Sequence, residues 1–223
     1  MQKIITIDGP SGAGKGTVSQ LIARELGWQF LDSGAMYRLC GLACLEQSVA
    51  FDDVVSVSDL ARQLDIEFKL TDHGLETWLC GRDVSAQLRT EETAAAASKV
   101  APIQAVRDAL LDRQRAFASD SGLVADGRDM GTIVFVDAPV KIYLTASAEE
   151  RANRRFKQLT EAGNSVSLRA ILEDIQARDE RDMNREVAPL KPADDAYVID
   201  STKLSIEDVV AKILQIHRQK VTA

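Results

Sequence analysis

The sequence predicts an α/β protein built on an open, five-stranded parallel sheet covered by helices, and three observations predict it. Short apolar runs at residues 4–8, 28–31, 123–126, 140–145 and 196–200 alternate with longer stretches whose apolar residues recur every three or four positions. The runs are apolar nearly throughout, as strands buried on both faces require. Each empties into a polar or glycine-rich stretch, and ligands of such sheets collect beyond the carboxyl ends of the strands.

The first run, Ile4-Ile5-Thr6-Ile7-Asp8, leads into Gly9-Pro10-Ser11-Gly12-Ala13-Gly14-Lys15-Gly16-Thr17, after which Val18, Leu21 and Ile22 recur on one helix face. Four glycines let the loop curl until successive N–H groups point at one anion. The helix start adds unsatisfied donors and the positive end of its dipole, and Lys15 adds a mobile charge. The spacing matches the phosphate-binding pattern G-x-x-x-x-G-K-[ST] with one departure: Gly16 follows the lysine, and the Thr17 hydroxyl comes one residue late. That shift leaves a magnesium contact by Thr17 open. A dinucleotide fingerprint fails on spacing, because Thr17 stands where its third glycine is needed.

The aromatic-rich run at 28–31 precedes Asp32-Ser33-Gly34, and Asp32 or Ser33 can cap a helix from near Ala35. Tyr37 and Arg38 fall on its first turns, while Met36, Leu39, Cys40 and Ala43 face the core. A helix over 54–64 gives way to period two. Ile66, Phe68 and Leu70 alternate with Glu67 and Lys69, residues 71–74 turn the chain with His73 among them, and 75–80 returns as the second strand of a hairpin. The hairpin interrupts the β/α pattern, so 33–105 reads as a subdomain inserted into a core of 1–32 and 106–223.

An alanine-rich helix covers 91–101, and Pro102 starts another with Ile103, Val106, Leu110 and Phe117 facing the core and Arg107, Arg113 and Arg115 opposite. The strand at 123–126 empties into Gly127-Arg128-Asp129-Met130-Gly131-Thr132. Beyond 140–145, Ser147 and Glu150 form a capping box for a helix over 148–161 that carries Arg151, Arg154, Arg155 and Lys157. Gly163-Asn164-Ser165 breaks it, and 168–184 forms the next helix. Ser205 caps a closing helix through Val209, Val210, Ile213, Leu214 and His217, the last expected at the surface or the helix end.

The chain has 223 residues, 45% apolar and 27% charged, enough for one well-buried core. Its net charge of −7 argues against a general nucleic-acid or anionic-membrane surface, so any anion site is local. No apolar run approaches a membrane span and the first ten residues hold no basic, cleavable leader, so a cytoplasmic protein is expected. Cys40, Cys44 and Cys80 form no C-x-x-C and suggest neither a disulfide framework nor a zinc site.

One cradle accounts for one nucleotide, and the arginines elsewhere on the same rim ask for a second anion. The residues therefore point to phosphoryl transfer, which is governed by alignment and by positive charge on the moving group. A phosphate acceptor is already ionised and needs no general base, in keeping with a chain holding only two histidines. Read from spacing alone, Arg151, Arg154 and Arg155 also suit a solvated helix face. Arg178, Asp182 and Arg185 also suit an ordinary ion-pair ladder.

Gly9 to Thr17, Asp32-Ser33-Gly34-Ala35-Met36-Tyr37-Arg38, Ala97-Ser98-Lys99-Val100-Ala101 with Val106-Arg107, Asp126-Gly127-Arg128-Asp129-Met130-Gly131-Thr132, Arg178-Asp179-Glu180-Arg181-Asp182 with Arg185, and Asp200-Ser201-Thr202 together resemble the bacterial cytidylate kinases. This branch of the P-loop nucleoside monophosphate kinases is matched nearly end to end. The resemblance implies the nucleoside monophosphate kinase fold, with 33–105 as the monophosphate-binding insert and 151–168 as a short lid. It also implies Mg2+-dependent transfer from ATP to CMP or dCMP by a monomer.

By the same resemblance Gly9, Pro10, Ser11, Gly12, Ala13, Gly14, Lys15, Gly16 and Thr17 hold the ATP phosphates, and Arg151, Arg154 and Arg155 close over ATP. Arg38, Arg128 and Arg185 hold the CMP phosphate beside Ser33, with Lys15, Arg128 and Arg185 catalytic. Ser98, Arg107 and Asp129 read cytosine, and Arg178 and Asp182 contact the sugar hydroxyls. An ionised carboxylate accepts from the exocyclic amino group of cytosine and repels the carbonyl of uracil. A monophosphate kinase for AMP, UMP or both pyrimidines is the nearest rival. A GTPase-type switch would need an N-K-x-D motif, which the sequence lacks.

Overall fold

The computed structural model describes residues 3–71, 74–161 and 163–221. In chain order the elements are β1 (Ile4–Asp8), α1 (Lys15–Leu26), β2 (Gln29–Asp32), α2 (Ser33–Glu46), α3 (Val54–Gln63), β3 (Ile66–Thr71), β4 (Gly74–Leu79) and β5 (Arg82–Asp83). There follow α4 (Glu91–Val100), α5 (Gln104–Ala116), β6 (Leu123–Gly127), β7 (Val140–Thr145), α6 (Ala148–Glu161), α7 (Leu168–Asn184), β8 (Tyr197–Asp200) and α8 (Ile206–Val221).

Five strands form one parallel sheet in the order β2-β6-β1-β7-β8, as the apolar runs predict. β1 lies at its centre with every residue buried. Strand side chains alternate between faces, so β1, β2 and β6 each feed two cores. Ile5, Ile7, Phe30 and Val124 pack against Val18 and Ile22 of α1 and Ile213 and Leu214 of α8. Ile4, Leu31, Leu123 and Ala125 pack against Met36 and Leu39 of α2, Val57 of α3 and Leu110 of α5. All five carboxyl ends consequently share one rim. Among the described residues no helix is long and apolar enough to cross a membrane.

The second sheet, β3-β4-β5, contains the predicted hairpin plus a short third strand that the sequence reading missed. Its signal is Cys80-Gly81, where φ is positive at both residues (49° and 73°), the backbone of a two-residue primed turn. Neither that signal nor two residues of strand stand out by periodicity. His73 lies outside the described residues.

Three local expectations need correction. Trp28 precedes β2 instead of opening it; its ring meets that of His217 edge-on, centroids 5.0 Å apart, so His217 is half-buried. α5 begins two residues after Pro102, with Ile103 in the capping position. Only half of the Ser147–Glu150 box forms. The Ser147 hydroxyl accepts from the Glu150 amide at 3.1 Å, but the Glu150 carboxylate takes Arg154 Nε at 2.9 Å.

α2 and α4 cross closely because Gly41 has no side chain. A Cβ there would lie 2.8 Å from the Ala97 amide nitrogen and 2.9 Å from the Ala96 carbonyl carbon. Backbone cannot step aside as a flexible side chain can, so added volume separates the helices. Gly41→Ala is expected to cost about 1–3 kcal/mol of stability in denaturant melts, and Gly41→Val more.

Candidate active site

The loop between β1 and α1 is curled by positive φ at Gly9, Gly12 and Gly14. Gly9 is the tightest of these: a Cβ would sit 1.9 Å from the Leu144 carbonyl oxygen, so only glycine lets the loop leave β1 alongside β7. Gly14, at φ 90°, caps α1. Lys15 is buried, and its ammonium donates to the Pro10 carbonyl at 2.9 Å, closing a ring across the loop. Thr17 is exposed on the first turn of α1. The Cβ that Gly16 lacks would stand 3.5 Å from Asp126 Oδ2, so position 16 faces a carboxylate.

Beneath the cradle lie buried charges that the sequence reading passed over. Asp126 Oδ1 is 3.9 Å from the Lys15 ammonium, and burial pushes its carboxyl up to about 7 against the pull of Lys15. Burial, aided by the charge of Arg128, lowers Lys15 to about 8, while Asp126 and Asp8 oppose the shift. Asp8, raised to about 6 by burial, accepts from the amides of Met130 and Gly131, both at 2.8 Å. A recognisable signal was present: Asp8 and Asp126 stand at or next to the carboxyl end of an apolar core strand, where a buried acid needs a reason.

On the opposite side of the rim, Arg107 and Asp129 form a buried ion pair through Nη2 and Oδ2, and the Arg107 guanidinium lies 5.7 Å from the Tyr37 ring. Arg185, at the end of α7, lies within the electrostatic reach of both and donates from Nε to the Ala188 carbonyl. Its Nη2 is buried without a hydrogen-bond partner. Arg128 Nε donates to Asp182 Oδ2 at 3.1 Å, and the charges of Arg128, Asp182 and Arg38 all act on Arg178. Arg38 donates to the Leu88 carbonyl at 3.1 Å. The Ser33 hydroxyl is buried and donates to Gln114 at 2.7 Å, a partner on α5 that the sequence reading did not name. Ser98 is exposed, and its hydroxyl bonds back to the Ala94 carbonyl at 3.1 Å; it is not part of the Arg107–Asp129 group.

The three arginines of α6 do not behave as a set. Arg151 is buried and fully engaged: Nε donates to the Ala146 carbonyl (3.0 Å), Nη1 to the Ser11 carbonyl (3.0 Å) and to Asp179 Oδ1 (3.0 Å), and Nη2 to Asp179 Oδ2 (2.5 Å). It braces the cradle, the end of β7 and α7 to one another. Arg154 donates to the Ser201 carbonyl at 2.8 Å, beyond the end of β8. Arg155 is exposed. Among the described residues no group of three or more His, Cys, Asp or Glu side chains could enclose a metal ion.

The site thus sets one phosphate cradle against a second group of arginines across the carboxyl ends of β1 and β6. The model of the cytidylate kinase family matches residues 5–219. A cytidylate kinase of Salmonella arizonae is 57% identical over 218 residues, 98% of this chain and 96% of its own. That of Klebsiella pneumoniae is 56% identical with the same coverage, and that of Aeromonas salmonicida 53% identical over 221 residues, 99% of this chain and 96% of its own. With a match that runs through both halves of the site, this chain belongs to the cytidylate kinase family.

Proposed function

We propose that this protein transfers the terminal phosphoryl group of ATP to CMP and dCMP, giving CDP and dCDP. The observation that carries the reading is the Arg128–Asp129 dipeptide at the end of β6, with Arg128 turned to Asp182 of α7 and Asp129 to Arg107 of α5. Arg128 lies close enough to Lys15 for its charge to lower the ammonium's pKa, so the two cations can share one phosphoryl group in transit. Arg38 and Arg185 then hold the acceptor phosphate, with Ser33 beside them, and Arg178 and Asp182 meet the sugar hydroxyls. The 33–105 segment serves as the acceptor-binding insert and 151–168 as the lid, in which exposed Arg155 is the arginine we assign to ATP.

Asp129 supplies the base discrimination in this reading. Arg107 occupies Oδ2, leaving Oδ1 to accept from the cytosine amino group. The uracil carbonyl at the same place would meet it lone pair to lone pair.

Mg2+ would enter with ATP and would supply positive charge against the negative charge of the phosphates. Asp126 of β6, facing Gly16, and Thr17 on the first turn of α1 carry oxygen donors that would hold the ion.

Three outcomes test the reading. Arg128→Ala is expected to lower kcat for CMP by about 10³-fold in an ADP-release assay while the circular-dichroism melt stays cooperative; loss of folding would make Arg128 structural. Asp129→Asn places an amide donor where the carboxylate stood, so the CMP to UMP ratio of kcat/KM should fall about tenfold or more. Lys15 loses its charge near pH 8 in the free protein, and kcat/KM for ATP should therefore decline above about pH 8. In the complex the phosphates hold that proton, so kcat should decline only at higher pH.

A further inference from the structure

Residues 130–134 form one wide helical turn, closed by the Phe135 amide on the Met130 carbonyl at 2.7 Å and the Val134 amide on the Asp129 carbonyl at 3.2 Å. The first amides of any helical turn have no partner within it. Here they belong to Met130 and Gly131, both buried, so no water is at hand to satisfy them. Asp129 stands in the capping position just before, where an aspartate ordinarily turns back and accepts from the second or third amide of the turn, here Gly131 or Thr132. It does not do so: the turn has no side-chain cap of its own, and the Asp129 carboxylate is held by Arg107. The cap comes from another strand. Asp8 Oδ1 accepts from Met130 and Oδ2 from Gly131, each at 2.8 Å, across 122 and 123 residues of sequence.

We infer that Asp8 is a positioning residue for base selection: by capping the 130–134 turn it releases Asp129 from that task and leaves its carboxylate facing the acceptor base. The inference rests on Asp129 reading the base, as proposed above. The packing leaves the turn little alternative. A Cβ on Gly131 would lie 3.0 Å from Thr6 Oγ1 and 3.4 Å from Asp8 Oδ2, so the turn is seated directly on β1. A Cβ on Gly127 would meet the Met130 side chain at 2.7 Å, closing the space behind it. Asp8 is itself followed by Gly9, whose backbone is pressed against Leu144. The same residue therefore ends the strand that launches the ATP cradle and fastens the turn that follows Arg128 and Asp129. Without it, Asp129 is the residue in the capping position to accept from the Gly131 amide.

The test is the CMP to UMP ratio of kcat/KM in Asp8→Ala, Asp8→Asn, Asp129→Asn and the two double variants, measured on the whole protein by ADP release. Asp8→Asn nearly preserves shape but can accept from only one of the two amides, so it carries the test if Asp8→Ala does not fold. Each Asp8 variant is expected to lower the ratio, the alanine by about tenfold, although Asp129 is intact. In the Asp129→Asn background the Asp8 changes should lower it no further, because both act through one carboxylate. A ratio unchanged by Asp8→Asn, with kcat falling equally for CMP and UMP, would make Asp8 merely structural and overturn the inference, as would effects that multiply in the double variants. Failure of the underlying reading is recognised separately, by Asp129→Asn alone leaving the ratio unaltered.

Discussion

Two amide hydrogens at the start of a buried turn, those of Met130 and Gly131, depend on a single carboxylate on another strand, and the geometry of the site follows from that dependence. A buried polar group left unmatched costs on the order of 1–3 kcal/mol, so Asp8 is held to its place as firmly as the turn is held to Asp8. Because Asp8 ends the central strand and Gly9 begins the cradle, the residue that leads covalently into the cradle is also the one hydrogen-bonded to the 130–134 turn. The distance between them is set by adjacent strands of a sheet, β1 and β6, in fixed register from Ile4 opposite Leu123 to Asp8 opposite Gly127. A strand ladder is a stiff ruler. Phosphoryl transfer, which relies on alignment more than on proton transfer, suits such a frame.

Charge is managed in the same economical way. The rim carries Lys15, Arg38, Arg107, Arg128, Arg178 and Arg185, a concentration of cations that would repel itself without counterions. Asp126, Asp129 and Asp182 are spaced among them, each within reach of at least one cation. Arg151 belongs to a different category, since Asp179 and two carbonyls consume its guanidinium. Breaking one partner out of a buried pair of this kind is costly because the other is left charged and dry. The cradle is therefore held from two sides, by β7 through Gly9 and by α6 and α7 through Arg151.

Much of this was legible in the sequence, and the exceptions share a cause. The five core strands, the cradle and the hairpin are written in periodicity and glycine spacing, which are local. Arg107 and Asp129 were expected to work together and are paired. What the sequence did not disclose were partnerships across long separations: Asp8 with the 130–134 turn, Ser33 with Gln114, Arg151 with Asp179 and Ser11. An arginine on a charged helix face looks the same whether it faces water or the underside of a loop, so Arg151 and Arg155 could not be told apart. The half-formed box at Ser147 failed for a related reason, since Arg154 competes for Glu150 one turn away. Carboxylates closing apolar strands were visible and were the one cue left unread.

β1 has no sheet partner until β6 and β7 exist, and Arg151 reaches back to Ser11 across 140 residues. During synthesis from the N-terminus the phosphate-binding motif is thus among the first segments to emerge and among the last to acquire its shape. At roughly 5–20 residues per second, several seconds pass in which Ile4, Ile5 and Ile7 have only helices and one another to shield them. A chain stopped before Arg151 would carry the whole motif without the guanidinium that holds the Ser11 carbonyl, so the final shape of the loop arrives with the last third of the protein.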